Sequence, residues 1–166
     1  MANEPGESSA GCCPKFDPAP WQEKTFVWED KPFIKEAIWQ LFHMPLPWTV
    51  NRSIGRMWSK AQAAGAAPEL KDFLMLAYDP SPWRSEFYLA VTGDVPGAEN
   101  IRLSGTFLTK AFDGPFSAVP QWIREMDRYL ASNGEIAKKH YFYFTTCPKC
   151  ARVYGHNYVV AFAQVN

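Results

Sequence analysis

One pattern of short strings occurs twice in this chain, and that doubling limits its folds more than any other feature. Lys24-Thr25-Phe26-Val27, followed by Asp30-Lys31-Pro32-Phe33, parallels Gly105-Thr106-Phe107-Leu108, followed by Asp113-Gly114-Pro115-Phe116. Each set leads into helical periodicity and then into two aromatic-rich strands. The closing strands align as Ser85-Glu86-Phe87-Tyr88-Leu89-Ala90-Val91 against His156-Asn157-Tyr158-Val159-Val160-Ala161-Phe162, which makes Asn157 the counterpart of Glu86. A duplicated strand-helix-strand-strand unit, spanning 24–92 and 103–165, predicts an α+β fold. Its antiparallel sheet carries helices on one face, and a central groove lies where the halves meet, the usual position for a ligand.

Local signals divide the chain further. Residues 1–20, rich in Pro, Gly, Ser and Glu, read as an irregular N-terminal arm, and 21–166 as a single domain of two repeats. Strands are predicted at 24–28, 73–78, 86–92, 103–112, 141–146 and 157–165. Ile34, Ala37, Ile38, Leu41 and Phe42 recur at helical spacing, which predicts a helix over 33–42. A second helix is predicted from Ser53 to Gly65, with Ile54, Met57, Trp58 and Ala61 on one face. A third spans 117–132, with Ser117 as its cap and Asn133-Gly134 as its stop.

Composition removes some functions. The 166 residues carry 17 basic and 17 acidic side chains, so there is no basic stripe to neutralise phosphates and no nucleic-acid partner is expected. No apolar run is long enough to span a bilayer and the first residues lack a basic-then-apolar signal, which predicts a cytoplasmic protein without a membrane partner. Four cysteines there are expected as thiols or metal ligands rather than as a disulfide frame. Oligomeric state is not legible.

The run from Leu103-Ser104-Gly105-Thr106-Phe107 through Phe112-Asp113-Gly114-Pro115-Phe116 to Trp122 resembles the second half of the GyrI-like small-molecule-binding domains, the effector-binding modules of multidrug-responsive regulators. The resemblance covers roughly 24–165. It implies two tandem repeats enclosing a groove for bulky, often aromatic ligands, serving as drug sensors, as sequestering proteins, or in one branch as hydrolases of cyclopropane-bearing compounds. The chain departs from the regulators because residues 1–20 are too short for a helix-turn-helix, so a stand-alone form is expected.

Glu86 leads the candidate site. Period-two alternation puts Glu86, Tyr88, Ala90 and Thr92 on one face of their strand and Phe87, Leu89 and Val91 on the other. The resemblance implies a groove-facing carboxylate on this strand. Such a group would attract a cationic ligand or, with its pKa raised by desolvation, act as an acid or base. Trp83, Tyr88, Phe107, Phe116, Tyr141, Tyr143 and Tyr158 are the candidate ligand-binding rings, suited to stack on a flat molecule. The leading expectation is a binder of a bulky hydrophobic or cationic small molecule. The first alternative is a hydrolase of a reactive, cyclopropane-type xenobiotic in which Glu86 and a groove tyrosine, Tyr143, activate water.

The second alternative is a zinc-stabilised interaction module. Cys147-Pro148-Lys149-Cys150 has the spacing of a zinc knuckle, and Cys12 and Cys13 would complete four ligands, with His156 in reserve. A redox pair and idle thiols stand beside this reading. No Ser-His-Asp order, phosphate-binding loop or Gly-rich dinucleotide turn is present in the sequence.

Overall fold

The computed structural model describes residues 15–146 and 148–166. Among them the chain forms strands β1 (Lys24–Leu41) and β2 (Met44–Pro45), helix α1 (Pro47–Ala63), strands β3 (Met75–Ser81), β4 (Arg84–Ala90) and β5 (Glu99–Asp113), helix α2 (Val119–Ser132), strand β6 (Lys139–Phe144), helix α3 (Pro148–Tyr154) and strand β7 (Tyr158–Gln164). The antiparallel sheet runs β2-β1-β4-β3-β6-β7-β5, and β5 pairs back onto β1. Six strands therefore close into a barrel-like ring with β2 appended. Its thinnest seam is between β3 and β6, which meet at Ala77 and Phe142.

Alternation along the strands sorts side chains to two faces. Outside, α1 lays Met57 and Ala61 on Ile34, Ile38, Phe87, Leu89 and Val91. Further round, α2 lays Trp122, Met126 and Leu130 on Leu108, Phe112, Phe142 and Ala161. Inside, Phe33, Tyr88, Phe107, Tyr141, Tyr143 and Phe162 form an aromatic interior. Both long helices thus sit on one face of the sheet, the outer one. Each ends in a Schellman turn at a left-handed glycine. Gly65 (φ 66°) donates to Gln62 while Ala66 donates to Ala61, and Gly134 (φ 72°) donates to Ala131 while Glu135 donates to Leu130. No helix among the described residues is long and apolar enough to cross a membrane.

The halves share one ladder. Across β1 and β4, Phe33, Lys35, Ala37 and Trp39 face Ala90, Tyr88, Glu86 and Arg84. Across β5 and β7, Phe107, Thr109, Ala111 and Asp113 face Gln164, Phe162, Val160 and Tyr158. One constant numbering shift carries the first set onto the second. The third strand of each half follows, since Tyr78 faces Glu86 as Tyr143 faces Val160. The repeat is real, but the string alignment that suggested it is displaced. The counterpart of Glu86 is Val160, and Asn157 lies before β7 begins.

The displacement has a local cause. Asp113-Gly114-Pro115-Phe116 ends β5 and leads into α2, whereas Asp30-Lys31-Pro32-Phe33 lies inside β1. There Asp30 (φ 49°) makes a bulge between Trp28 and Lys31, and its N–H is bonded by Ser104 Oγ at 2.9 Å. The helix predicted over 33–42 is strand throughout to Leu41. Ile34 and Ile38 are four apart, a spacing that shares a face in a helix and in a strand alike. Phe33 between the two faces was the discriminating residue: it is buried in the interior while Ile34 is buried under α1. Further on, α2 starts after a tight turn at Phe116–Ala118, and Ser117 makes no capping bond. After β6 the chain forms the short helix α3, where no helix is predicted from the sequence.

Candidate functional site at one end of the inner face

Four inner-face positions converge on Glu86. Lys35 and Ala37 come from β1, Tyr88 from β4 itself and Tyr78 from β3, all placed by register. The Lys35 ammonium lies 2.8 Å from Glu86 Oε2, and an Arg84 guanidinium nitrogen lies 3.1 Å from the same oxygen. Tyr88 donates its hydroxyl to Glu86 Oε1 at 3.0 Å. Lys35 also reaches Glu99 Oε1, at 3.8 Å. Rings enclose this cluster: Tyr88 meets Tyr141 edge-on at 5.7 Å, Tyr78 meets Tyr141 at 5.5 Å, and the Lys139 ammonium lies 5.0 Å from the centre of the Tyr78 ring.

Glu86 is 7% exposed, Tyr88 4% and Tyr141 1%, so the acid and both phenols are withdrawn from water. Burial by itself pushes the Glu86 pKa up. Hydrogen bonds from Lys35 and Tyr88, the Lys35 charge and the Arg84 contact outweigh it, and the carboxyl lies below its ordinary 4.5. Glu86 is therefore a carboxylate at neutral pH, which corrects the expectation of a raised pKa. Burial and the Glu86 charge hold the Tyr88 phenol well above its ordinary range. Tyr141 is pushed up to about 12, by burial first and then by Tyr78 and Glu86. Both phenols stay protonated and can donate.

The site is open on the β1 side. Ala37, directly opposite Glu86, is exposed, and Trp39, opposite Arg84 on the same face, is 82% exposed. Of the rings proposed from sequence, Tyr88 and Tyr141 stand at Glu86, and Phe107 lies deeper in the interior, 6.3 Å from Tyr141. Tyr143 lies against Phe16 and Trp21 and donates its hydroxyl to Phe73 O at 3.2 Å, so the tyrosine bonded to Glu86 is Tyr88, not Tyr143. Tyr158 lies against Phe16 too, stacked with His156. Trp83 stands on the β3–β4 turn against Phe42, and Phe116 packs on Phe144 outside the ring, so neither faces the cluster.

Lys35, Trp39, Tyr78 and Lys139 were missed. Lys35 and Trp39 fell in the stretch misread as helix, where the adjacent core residues Phe33 and Ile34 leave no alternation of polarity to mark the strand.

Cys12, Cys13 and Cys147, proposed as metal ligands, lie outside the described residues. Cys150 is buried on α3, and among the described residues no three His, Cys, Asp or Glu side chains converge as a metal would need.

Against solved structures, the C-terminal domain of EcmrR superposes with a TM-score of 0.65 at 11% identity, over 88% of this chain and 98% of that one. A hydrolase from Listeria innocua superposes with a TM-score of 0.63 at 11% identity, over 87% and 92%. At these identities the likeness carries the fold alone, and the fold is of the GyrI-like kind. No curated protein matches the chain. The sequence profile described as Bacterial hydrolase matches residues 3–165, nearly the whole length, and the chain belongs to that bacterial hydrolase family.

Proposed function

We propose that the protein binds a bulky, flat aromatic small molecule at the Glu86 end of its inner face. The observation that carries this is a buried carboxylate cluster among three tyrosines, opening at Ala37 toward the exposed indole of Trp39. Aromatic walls with a few convergent polar groups are the ordinary make-up of a small-molecule site. The charges refine the ligand. Lys35 and Arg84 already neutralise Glu86, so a cation gains little there. A neutral aromatic with an acceptor oxygen fits better, since that oxygen can take a hydrogen bond from Lys35 or Arg84.

Hydrolysis is a second reading, favoured by the family to which the chain belongs and by Glu86 being held as a carboxylate. In that reading Glu86 accepts a proton from water as the water oxygen bonds to a strained ring carbon of the ligand. The ring bond breaks, its electron pair passes to the ligand's carbonyl oxygen, and Lys35 or Arg84 stabilises the charge that develops there.

Ala37→Trp tests the site, because it fills the open side at a position where the backbone and core are undisturbed. Calorimetric titration with 1-naphthol should show affinity falling by about tenfold or more, given that Ala37 contacts any ligand over Glu86. Unchanged affinity in a variant that melts like the wild type would place the site elsewhere. Glu86→Gln separates the readings: hydrolysis predicts turnover lower by roughly 10²–10⁴-fold with binding retained, whereas a binder has no turnover to lose.

A further inference from the structure

The second half of the ladder repeats the geometry of the Glu86 end, and it is covered by the chain itself. At its inner face Thr109, Val160 and Phe162 stand where Lys35, Glu86 and Tyr88 stand in the first half, with Tyr143 in the place of Tyr78. Two rings from the segment preceding β1 lie on it. Phe16 approaches Tyr143 and Tyr158, each at 6.0 Å between ring centres. Trp21 approaches Tyr143 at 6.0 Å, Phe162 at 5.7 Å and Phe26 at 5.5 Å. Phe16 and Trp21 are themselves stacked, at 6.4 Å and 24°.

Among the described residues, three polar ties hold 15–23 to the rest of the fold, one of them the ion pair of the exposed Glu23 with Lys110 at 3.6 Å. Thr109 Oγ1 donates to Trp21 O at 2.7 Å, and the Ala111 N–H donates to Gln22 Oε1 at 2.9 Å. Lys15, Asp17, Ala19, Pro20, Gln22 and Glu23 are exposed, and strand pairing begins only at Lys24. Phe16 and Trp21 thus anchor a segment, 15–23, whose other residues face solvent apart from the half-buried Pro18. Segments with so few buried apolar contacts open at low free energy.

We propose that the inner face beneath this arm is a second, latent binding site for a flat, uncharged aromatic molecule, kept shut by Phe16 and Trp21. The stacked pair shows the shape and chemistry the face accepts: ring area against Tyr143, Tyr158 and Phe162, and one acceptor for the Thr109 hydroxyl. Thr109 and Val160 supply no charge, unlike Lys35 and Glu86, and Asp113 at the Tyr158 end is already partnered by His156 at 2.6 Å, so a neutral ligand fits. An incoming aromatic competes with the arm, and an arm seated nine-tenths of the time weakens that competitor by about tenfold. This site does not depend on the reading of the Glu86 end.

The test uses the full-length protein and the Phe16→Ala/Trp21→Ala variant, with 1-naphthol as the probe. Tyr143 reports on the face, since it is buried in the closed form. Nitration by tetranitromethane, mapped by mass spectrometry, should leave Tyr143 unmodified in the wild type and modify it in the variant. Added 1-naphthol should then protect Tyr143 in the variant, and equilibrium dialysis should count one more equivalent bound than in the wild type. Glu86→Gln should leave this protection intact, so a failure of the Glu86 reading would not be mistaken for a failure here. A folded variant in which Tyr143 stays unreactive, or is nitrated equally with and without 1-naphthol, overturns the proposal. If the double variant loses its cooperative melt, Phe16→Ala alone is judged by the same two outcomes.

Discussion

Replacing Lys35 by Met removes the closest partner of Glu86 while preserving most of the side-chain volume. Breaking a buried ion pair by deleting one member costs about 3–5 kcal/mol, because the other charge is left withdrawn from water without its counterion. Here Glu86 keeps the Arg84 contact at 3.1 Å and the Tyr88 hydroxyl at 3.0 Å, and the Lys35 side chain is itself 20% exposed. The loss therefore falls below that range, at about 2 kcal/mol, or a melting temperature lower by roughly 4–8 °C for a chain of this size. The pH dependence makes the test specific. Glu86 has a depressed pKa in the folded state, so its stabilising contribution is complete above its ordinary 4.5 and fades as pH falls through the folded value. The gap between wild type and Lys35→Met should be full at neutral pH and should close as both proteins are taken below that value. Urea unfolding at neutral pH and at a series of pH values below 4.5 measures it. A gap that persists unchanged through that series would refute the reasoning, since it would show that Lys35 acts by packing and not through the carboxylate.

Two further outcomes follow from the geometry. Gly105→Ala should be strongly destabilising, by about 2–4 kcal/mol, because Gly105 has φ 140° and a Cβ there would collide with the Asn166 carbonyl; thermal melting checks it. Trp39→Ala should leave stability within about 0.5 kcal/mol, since the indole is 82% exposed, while weakening 1-naphthol by several-fold; calorimetry paired with a melt separates these effects.

How much of this was legible in the sequence depends on which period the residues obey. The alternation of Glu86 and Tyr88 against Phe87 and Leu89 was readable because one face is polar-aromatic and the other aliphatic, and the structure puts them on those faces. The α2 stripe was readable because its outer residues are charged. In β1 both faces are buried over part of its length, so Phe33 and Ile34 are adjacent core residues and no alternation of polarity marks the strand. Lys35 was hidden by the same cause, and with it the ion pair that sets the state of Glu86. The doubling was legible as an order of elements but not as a residue alignment. The likeness of Asp30-Lys31-Pro32-Phe33 to Asp113-Gly114-Pro115-Phe116 joined a bulge to a strand end, and only hydrogen-bond register could expose that.

That register also supplies an internal control for the role of the buried cluster. One ladder folds with Lys35, Glu86 and Tyr88 at three inner positions, and its twin folds with Thr109, Val160 and Phe162 at the same three. A charge pair at those positions is therefore no requirement of the architecture. Replacing a buried ion pair by apolar residues of similar size is commonly neutral, or stabilising by about 1–4 kcal/mol, provided no partner is left stranded. The triple variant Lys35→Thr/Glu86→Val/Tyr88→Phe meets that condition, because it removes the donor hydroxyl of Tyr88 together with its acceptor. Arg84, whose side chain is 53% exposed, is left free to turn to solvent. The triple variant should unfold within about 1 kcal/mol of the wild type or at higher denaturant, and should lose whatever binding or turnover the Glu86 end performs. A loss of stability above about 3 kcal/mol would reverse the conclusion: the cluster would then be what holds the first half closed, and its polarity would owe nothing to a ligand.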